Sequence, residues 1–398
     1  MTRVPTPRKM TSNIDLSHPS ATLLLVGNFA PDEGFAWWLM ENFWIELSYL
    51  ARARGLEPLL IYRDVGTIPE SIRSAQIPTA FRPFLVGEST LARDLELVRE
   101  RRVRFVYLTD RPFWDPRYAL LRGAGVRRIV THDHVPGDRP DVGGARALLK
   151  GILNRLPLVC ADLQLAVSPF VKERAQRTGR IPAHRVEVVQ NGIQPIQCQE
   201  FDPHYVHRVF GVPQDHTVCV VVGRAHRYKR IDFLIQVAAR LRRLPGGTQI
   251  TFLFCGDGPD LEWLQGLAED AELEDRLVFA GRRDDIPAIL CSSDMAFHPS
   301  QGEAFSLAIV EYMSAGLPVL VPSLPSVRQA IEHGRTGFVY PDGDVETAAH
   351  FVLKLHGDAE LRRNLGVEAS HIAATRYNLD QMNETFREVM ARTLAEVF

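Results

Sequence analysis

Residues 299–316 read PSQGEAFSLAIVEYMSAG, and the short apolar run 295–298 (MAFH) stands immediately before them. The run reads as a buried strand that stops at Pro299. A small polar loop with Gly302 follows, and the pattern predicts a helix from about Ala304–Phe305. Strand, tight loop and helix in that order form the building unit of a covered parallel sheet. The start of such a helix presents unpaired N–H groups and the positive end of its dipole, which together can hold a phosphate. Glu303 sits in the loop and Glu311 lies two turns along the helix. In a binding site, Glu311 would accept ribose hydroxyls, as acidic residues do in other nucleotide sites, and Glu303 would face a sugar. The structural alternative is a glutamate held by the helix dipole plus one on a solvated helix face.

The same rhythm extends outward on both sides. Downstream and just upstream, strands are expected at 217–223, 249–256, 276–280, 295–298 and 318–321. Helices are expected at 231–244, 260–271, 286–291, 305–315 and 327–333. The first half opens with ATLLLV (21–26), further strands are expected at 58–62, 103–108, 127–131 and 186–190, and 158–167 is expected to cover a helix end and a strand. Its helix 35–54 carries Trp37, Trp38, Phe43 and Trp44, a set that fits core packing, an acceptor pocket or contact with lipid. Residues 193–216 hold Pro195, Pro203 and Pro213 and read as a linker. The expected class is therefore α/β, with two Rossmann-like domains whose parallel sheets face each other across a cleft. The expected spans are a disordered tail 1–20, a first domain 21–198, a second domain 199–375 and a closing segment 376–398. That last segment is amphipathic, with Met382, Phe386, Val389, Met390, Leu394 and Val397 on one side.

Ligands of open α/β sheets bind beyond the carboxyl ends of the strands, so the loops there carry the chemistry. The loop in VVGRAHRYKR (221–230) follows Gly223 with Arg224 and Lys229. Two cations after a strand suit a pyrophosphate, because Arg grips two oxygens and Lys adds a point charge; a basic surface loop is the alternative. FCGDGP (254–259) places Gly258 in a strand-to-helix turn. THDHVPG (131–137) puts His132 and His134 at a strand end. They form no complete metal-ligand set; one could donate to a sugar hydroxyl, or both could be structural.

Composition bounds the remainder. A chain of 398 residues with 45% apolar and 24% charged residues sustains two ordinary domains with large cores. Cys160, Cys198, Cys219, Cys255 and Cys291 are odd in number and widely spaced, so they read as buried thiols in a reducing compartment. No apolar run reaches the roughly 18–20 residues needed to span a bilayer, and residues 1–20 lack the form of a signal peptide. A cytoplasmic location is expected. Net charge is −2, with no sign of nucleic-acid binding. Residues 1–198 hold 27 Lys and Arg against 20 Asp and Glu, while the rest holds 19 against 28. A basic first half favours an anionic acceptor or peripheral contact with the inner membrane face, or is scatter over a solvated surface.

Taken in order, GRAHRYK (223–229), GDGP (256–259), GEAFSLAIVE (302–311), SAGLPVLVP (314–322) and HGRTGFVYPDGD (333–344) resemble the retaining family 4 glycosyltransferases of GT-B fold. ADLQLAVSPFVKE…VEVVQNGI (161–193) adds a weaker match. The resemblance implies a nucleotide-sugar donor, bound as a substrate, with no metal and no separate cofactor, and a hydroxyl acceptor. It implies that Arg224 and Lys229 bind the donor diphosphate. Glu303 would contact the donor sugar, with His132 or His134 approaching it, and Glu311 would contact the ribose. Gly223, Gly258, Gly302, Ala304, Phe305, Ser306 and Leu307 would line the donor, with Arg282 and Arg283 beside the base. UDP is the family's default base, and GDP is also used. The chain departs from the pattern in four places. FAPDEGF (29–35) offers only Gly34 to approach the phosphate, Arg230 and Ser306 stand where glycines are common, and 323–329 lacks a Gly-Gly and a following Glu. These departures keep open a catalytically silent partner protein, beside an epimerase or phosphorylase of the same fold.

Overall fold

A computed structural model of the chain describes residues 21–27, 29–32, 37–87 and 90–397. The expected tail 1–20 and the loop glycine Gly34 lie outside the described residues. Two parallel sheets organise the rest. The first holds β1 (Ala21–Val26), β2 (Leu56–Tyr62), β3 (Thr79–Phe81), β4 (Val103–Thr109), β5 (Arg128–Asp133), β6 (Leu163–Ala166) and β7 (Val186–Val188), in the order β3-β2-β1-β4-β5-β6-β7. The second holds β8 (Thr217–Val222), β9 (Ile250–Cys255), β10 (Leu277–Gly281), β11 (Met295–Phe297), β12 (Val319–Pro322) and β13 (Gly337–Tyr340), in the order β10-β9-β8-β11-β12-β13. Leu23, Leu24, Leu25, Val218, Cys219 and Val220 are all fully buried, as strands covered on both faces require. The architecture is that of two Rossmann-like α/β domains.

The aromatic helix, Trp37–Arg52, resolves toward the core. Phe43 and Trp44 are fully buried, while Trp38 remains 39% exposed. The closing helix Leu379–Ala395 lies against it: Phe43 and Phe386 have ring centroids 4.8 Å apart, Asn42 Nδ2 donates to Asn383 Oδ1 at 2.6 Å, and Arg387 pairs with Glu46 at 2.7 Å. Beside it, the chain crosses between the halves twice. Ile193 N–H donates to Tyr377 O at 2.9 Å, and Leu379 N–H returns to Ile193 O at 3.0 Å.

Three expectations need correction. Residues 327–333 form only a 3-10 turn, Arg328–Ala330, because the chain must bend there into β13. The linker is not wholly irregular: Tyr205–Phe210 is a helix, closed by Gly211 in the left-handed conformation (φ +68°) that glycine adopts without strain. Finally, two cysteines are not thiols. Cys198 and Cys291 form a disulfide with Cα atoms 5.2 Å apart, and only Cys160, Cys219 and Cys255 are free and buried. The turn Cys198–Glu200 rests on the end of helix Ile286–Cys291, a proximity that 93 residues of separation hide from sequence. Joining residues so far apart restricts the unfolded chain. The double substitution Cys198→Ser and Cys291→Ser is therefore expected to lower unfolding free energy by about 2–4 kcal/mol in urea titrations. Equal midpoints for the oxidised wild type and the variant would contradict this.

Candidate active site

The order of the second sheet reverses between β8 and β11, which are neighbours although two strands separate them in the chain. A crevice opens outside the strand ends at such a reversal. The loops leaving those two strands are 223–230 and 298–306, so topology brings GRAHRYK and HPSQGEAFS together.

At their meeting point Lys229 Nζ lies 2.6 Å from Glu303 Oε1. His298 Nε2 approaches the same oxygen at 2.9 Å. Burial pushes the Glu303 carboxyl up, but the Lys229 charge and the bonds from His298 and Lys229 outweigh it, holding the group well below the usual carboxylate range. Burial pushes His298 down, and Glu303 offsets this only in part. The pair is thus an ionised carboxylate facing a neutral imidazole that donates through Nε2–H. Among the described residues no group donates to Glu303 Oε2, which leaves one carboxylate oxygen for a ligand.

Arg224 is exposed at the mouth, its Nη2 donating to Tyr228 Oη at 2.7 Å. Arg230 takes φ +55° at the start of helix Ile231–Leu241, the left-handed geometry that explains why glycine is common there. Gly258 lets the β9 loop touch the β8 loop: a Cβ there would sit 2.4 Å from Ala225 O.

The helix after β11 begins at Leu307, later than expected, because Ser306 caps it by accepting from Ile309 N–H at 3.4 Å. The first-turn N–H groups of Leu307 and Ala308 then point beyond the helix start. Glu311 is half-buried on this helix. Its carboxylate accepts no hydrogen bond among the described residues, and burial pushes its pKa up to about 7. Phe305 turns its ring onto Tyr377, with centroids 5.2 Å apart, so only its backbone stays with the loop.

The first domain closes the other side. Ser168 Oγ donates to Ala304 O at 3.1 Å. Gly302 abuts Gly137, and a Cβ on Gly302 would lie 2.7 Å from the Gly137 Cα. His132 is fully buried, with Tyr107 Oη 2.5 Å from its Nδ1 and Phe43 against its ring. His134 stands past the strand end and is only partly covered, although burial still pushes it down to about 4. Its ring lies 4.2 Å from that of His132, and its Nε2 is buried without a hydrogen-bond partner among the described residues. Burial raises neighbouring Asp110 to about 7, and Asp110 accepts from His134 N–H at 2.7 Å. Among the described residues no group of three or more His, Cys, Asp or Glu is placed to hold a metal.

Two expected residues sit apart from this cluster. Arg283 is committed to Asp285 (2.5 and 2.8 Å) and to the Phe210 ring, so it braces the linker helix. Arg282 is exposed in the loop after β10. Sequence reasoning missed His298, Asp110 and Gln329. Gln329 Nε2 donates to Ala304 O at 2.8 Å, from the segment that lacks the glycine pair.

The family described as Glycosyl transferases group 1 matches residues 206–371, and Glycosyltransferase Family 4 matches residues 40–196. The chain is 26% identical over 242 residues to N-acetyl-alpha-D-glucosaminyl L-malate synthase of Bacillus anthracis, covering 61% of this chain and 62% of that protein. It is 30% identical over 235 residues to the alpha-D-kanosaminyltransferase of Streptomyces kanamyceticus, covering 56% and 60%. These matches span about three-fifths of each relative. Among solved structures, a glycosyltransferase from Rickettsia africae superposes with a TM-score of 0.73 at 18% identity, covering 95% of this chain and 99% of that one. HepE of Anabaena, solved with UDP-glucose, gives 0.69 at 20% identity, covering 94% and 99%. With the two family matches lying one in each half of this fold, the chain belongs to the group 1, family 4 glycosyltransferases of GT-B fold.

Proposed function

We propose that the protein moves a sugar, with retention at the anomeric carbon, from a nucleoside diphosphate donor to a hydroxyl of a glycan, lipid-linked or small-molecule acceptor. A UDP-sugar is the first expectation and a GDP-sugar the second. The observation that carries this reading is the Lys229–Glu303–His298 cluster beside a helix start at the topological switch point. Arg224, Lys229 and the first-turn N–H groups take the diphosphate and stabilise it as it departs. Glu303 Oε2 accepts a sugar hydroxyl. His134 donates to another from the opposite domain. Glu311 accepts the ribose hydroxyls. Neither glutamate serves as a nucleophile in this scheme: Glu303 is held by Lys229 and His298, and Glu311 lies two turns along the helix. The acceptor attacks from the leaving-group side, and a phosphate oxygen takes its proton. No metal ion is required, because the two cations carry the leaving-group charge. HepE supports the donor class, since that relative in fold is solved with UDP-glucose.

Calorimetric titration with UDP, GDP, ADP and TDP tests the reading. Saturable binding of one of them is expected. With the matching nucleotide sugar, affinity should rise as pH increases through about 7, because Glu311 is protonated below its raised pKa and becomes a charged acceptor above it. Glu311→Gln should bind more weakly and lose this pH dependence. A folded wild type that binds none of the four nucleotides would return the silent-partner reading to first place.

A further inference from the structure

We infer that helix Gly144–Leu153 and the turn after it form a docking surface for an anionic lipid bilayer. The helix turns its largest apolar side chains outward. Inward it offers only Gly151, the partly covered Ala147 and Leu153, and Lys150, which donates to Thr178 O at 2.6 Å, while Asn154 just past its end donates to Gly179 O; Lys150, Leu153 and Asn154 line a cavity of about 370 Å³ shared with Asp133, Gln164 and Arg174. Gly151 is its only fully buried residue. Its outer side is aliphatic, with Leu148 69%, Leu149 58% and Ile152 51% exposed, spaced to share one face. Leu156 and Leu158, at 44% and 64%, continue the patch. A surface helix normally turns its leucines inward, so this one is built for an apolar environment outside the protein.

Charge identifies that environment. Residues 142–161 contain no Asp or Glu, and Arg146 and Arg155 stand exposed beside the leucines. Arg155 and Arg180 also line the shallow groove beside the helix. Among the described residues no carboxylate lies within 4.0 Å of Arg146, Arg155 or Arg180. Residues 135–158 hold no aromatic or methionine side chain, the anchors in which protein interfaces are rich. Exposed leucines fringed by cations without a carboxylate partner match the acyl chains and anionic headgroups of a membrane surface at once. Residues 1–198 as a whole hold more cations than anions, against the reverse in the remainder, which favours approach of this half to such a surface. No helix among the described residues is long and apolar enough to cross a membrane, so the contact is peripheral.

Flotation of the full chain with phosphatidylcholine vesicles, with and without phosphatidylglycerol, tests the proposal. Its readout is vesicle binding, so it stands or falls separately from the transferase reading. The wild type is expected to float with the anionic vesicles only, and less as salt rises. Leu148→Ser/Leu149→Ser/Ile152→Ser should abolish flotation. Arg146→Gln and Arg155→Gln should each weaken it about fivefold. Because the substituted side chains are exposed, every variant should keep the wild-type thermal midpoint. Hydrogen exchange on the wild type gives a reading without variants: residues 144–158 should gain protection when anionic vesicles are added. A wild type that ignores anionic vesicles overturns the inference. So does a wild type that forms dimers dispersed by the triple substitution, which would make the face a contact between copies of the chain.

Discussion

Lys229→Ala is expected to lower donor turnover by roughly 10²–10³-fold, the loss typical when one preorganised group facing developing charge is removed. Two effects combine. The leaving diphosphate loses a cation held in a fixed place, and Glu303 loses the counter-charge 2.6 Å from its Oε1. Burial raises the Glu303 carboxyl, and without Lys229 only His298 opposes that rise. The carboxyl pKa is expected to rise, and its free oxygen then draws a sugar hydroxyl less strongly. Lys229→Arg should recover only part of the rate, since a planar fork does not reproduce a compact ammonium at that distance. The measurement is kcat/KM for the nucleotide sugar, together with nucleotide affinity and thermal midpoint. Glu303→Gln separates the two effects, because it should retain nucleotide binding and lose sugar turnover. Wild-type kcat/KM in a folded Lys229→Ala protein would remove Lys229 from the reaction.

Why Lys229 and Glu303 were legible in the sequence while His298 was not is a matter of range. Strand, loop and helix each fix their own spacing, so GRAHRYK and Glu-x7-Glu can be read locally, and the switch point between β8 and β11 brings them together. The His298 contact depends on the 299–303 loop folding back on the end of β11, which no periodicity records. The disulfide and the linker helix failed for the same reason, since both follow from tertiary contact. Other omissions were local and avoidable. Asp344 and Asp358 accept from Thr347 and Leu361 N–H at 3.0 and 2.9 Å, and these N-caps announce helices Val345–Gly357 and Ala359–Arg376. Helix 144–153 shows a further limit. Its Leu148 and Leu149 look like core in a sequence, and only the structure shows that they face outward.

Arg174→Ala is expected to cost about 3–5 kcal/mol, because it breaks a buried ion pair from one side. Arg174 is 1% exposed. Its Nη2 donates to both oxygens of Asp133 at 3.1 Å, and its Nη1 donates to Val135 O at 2.8 Å and to Gly137 O. One guanidinium therefore fastens the whole loop that follows β5. That loop carries His134, and its Gly137 abuts Gly302 of the loop after β11. The helix bearing Arg174, Pro169–Arg177, also begins at Ser168, which bonds Ala304 O. Removing Arg174 leaves the Asp133 carboxylate with Gln164 Nε2 at 3.0 Å and its own turn, Val135 N–H, as its remaining donors, and leaves two carbonyls unpaired. Lysine should not rescue it, since the two ends of the guanidinium fork hold four oxygens from three residues at once. Catalysis and binding should then separate. On the proposed mechanism Arg224, Lys229 and Glu311 are untouched, so nucleotide affinity in the folded variant stays near wild type, while kcat falls because His134 loses the position it would hold opposite the donor. Urea unfolding measures the first effect, and titration with kinetics the second. A stability change within about 0.5 kcal/mol would mean that the loop is held by its own turn, and Arg174 would no longer explain how the two domains meet at Gly302.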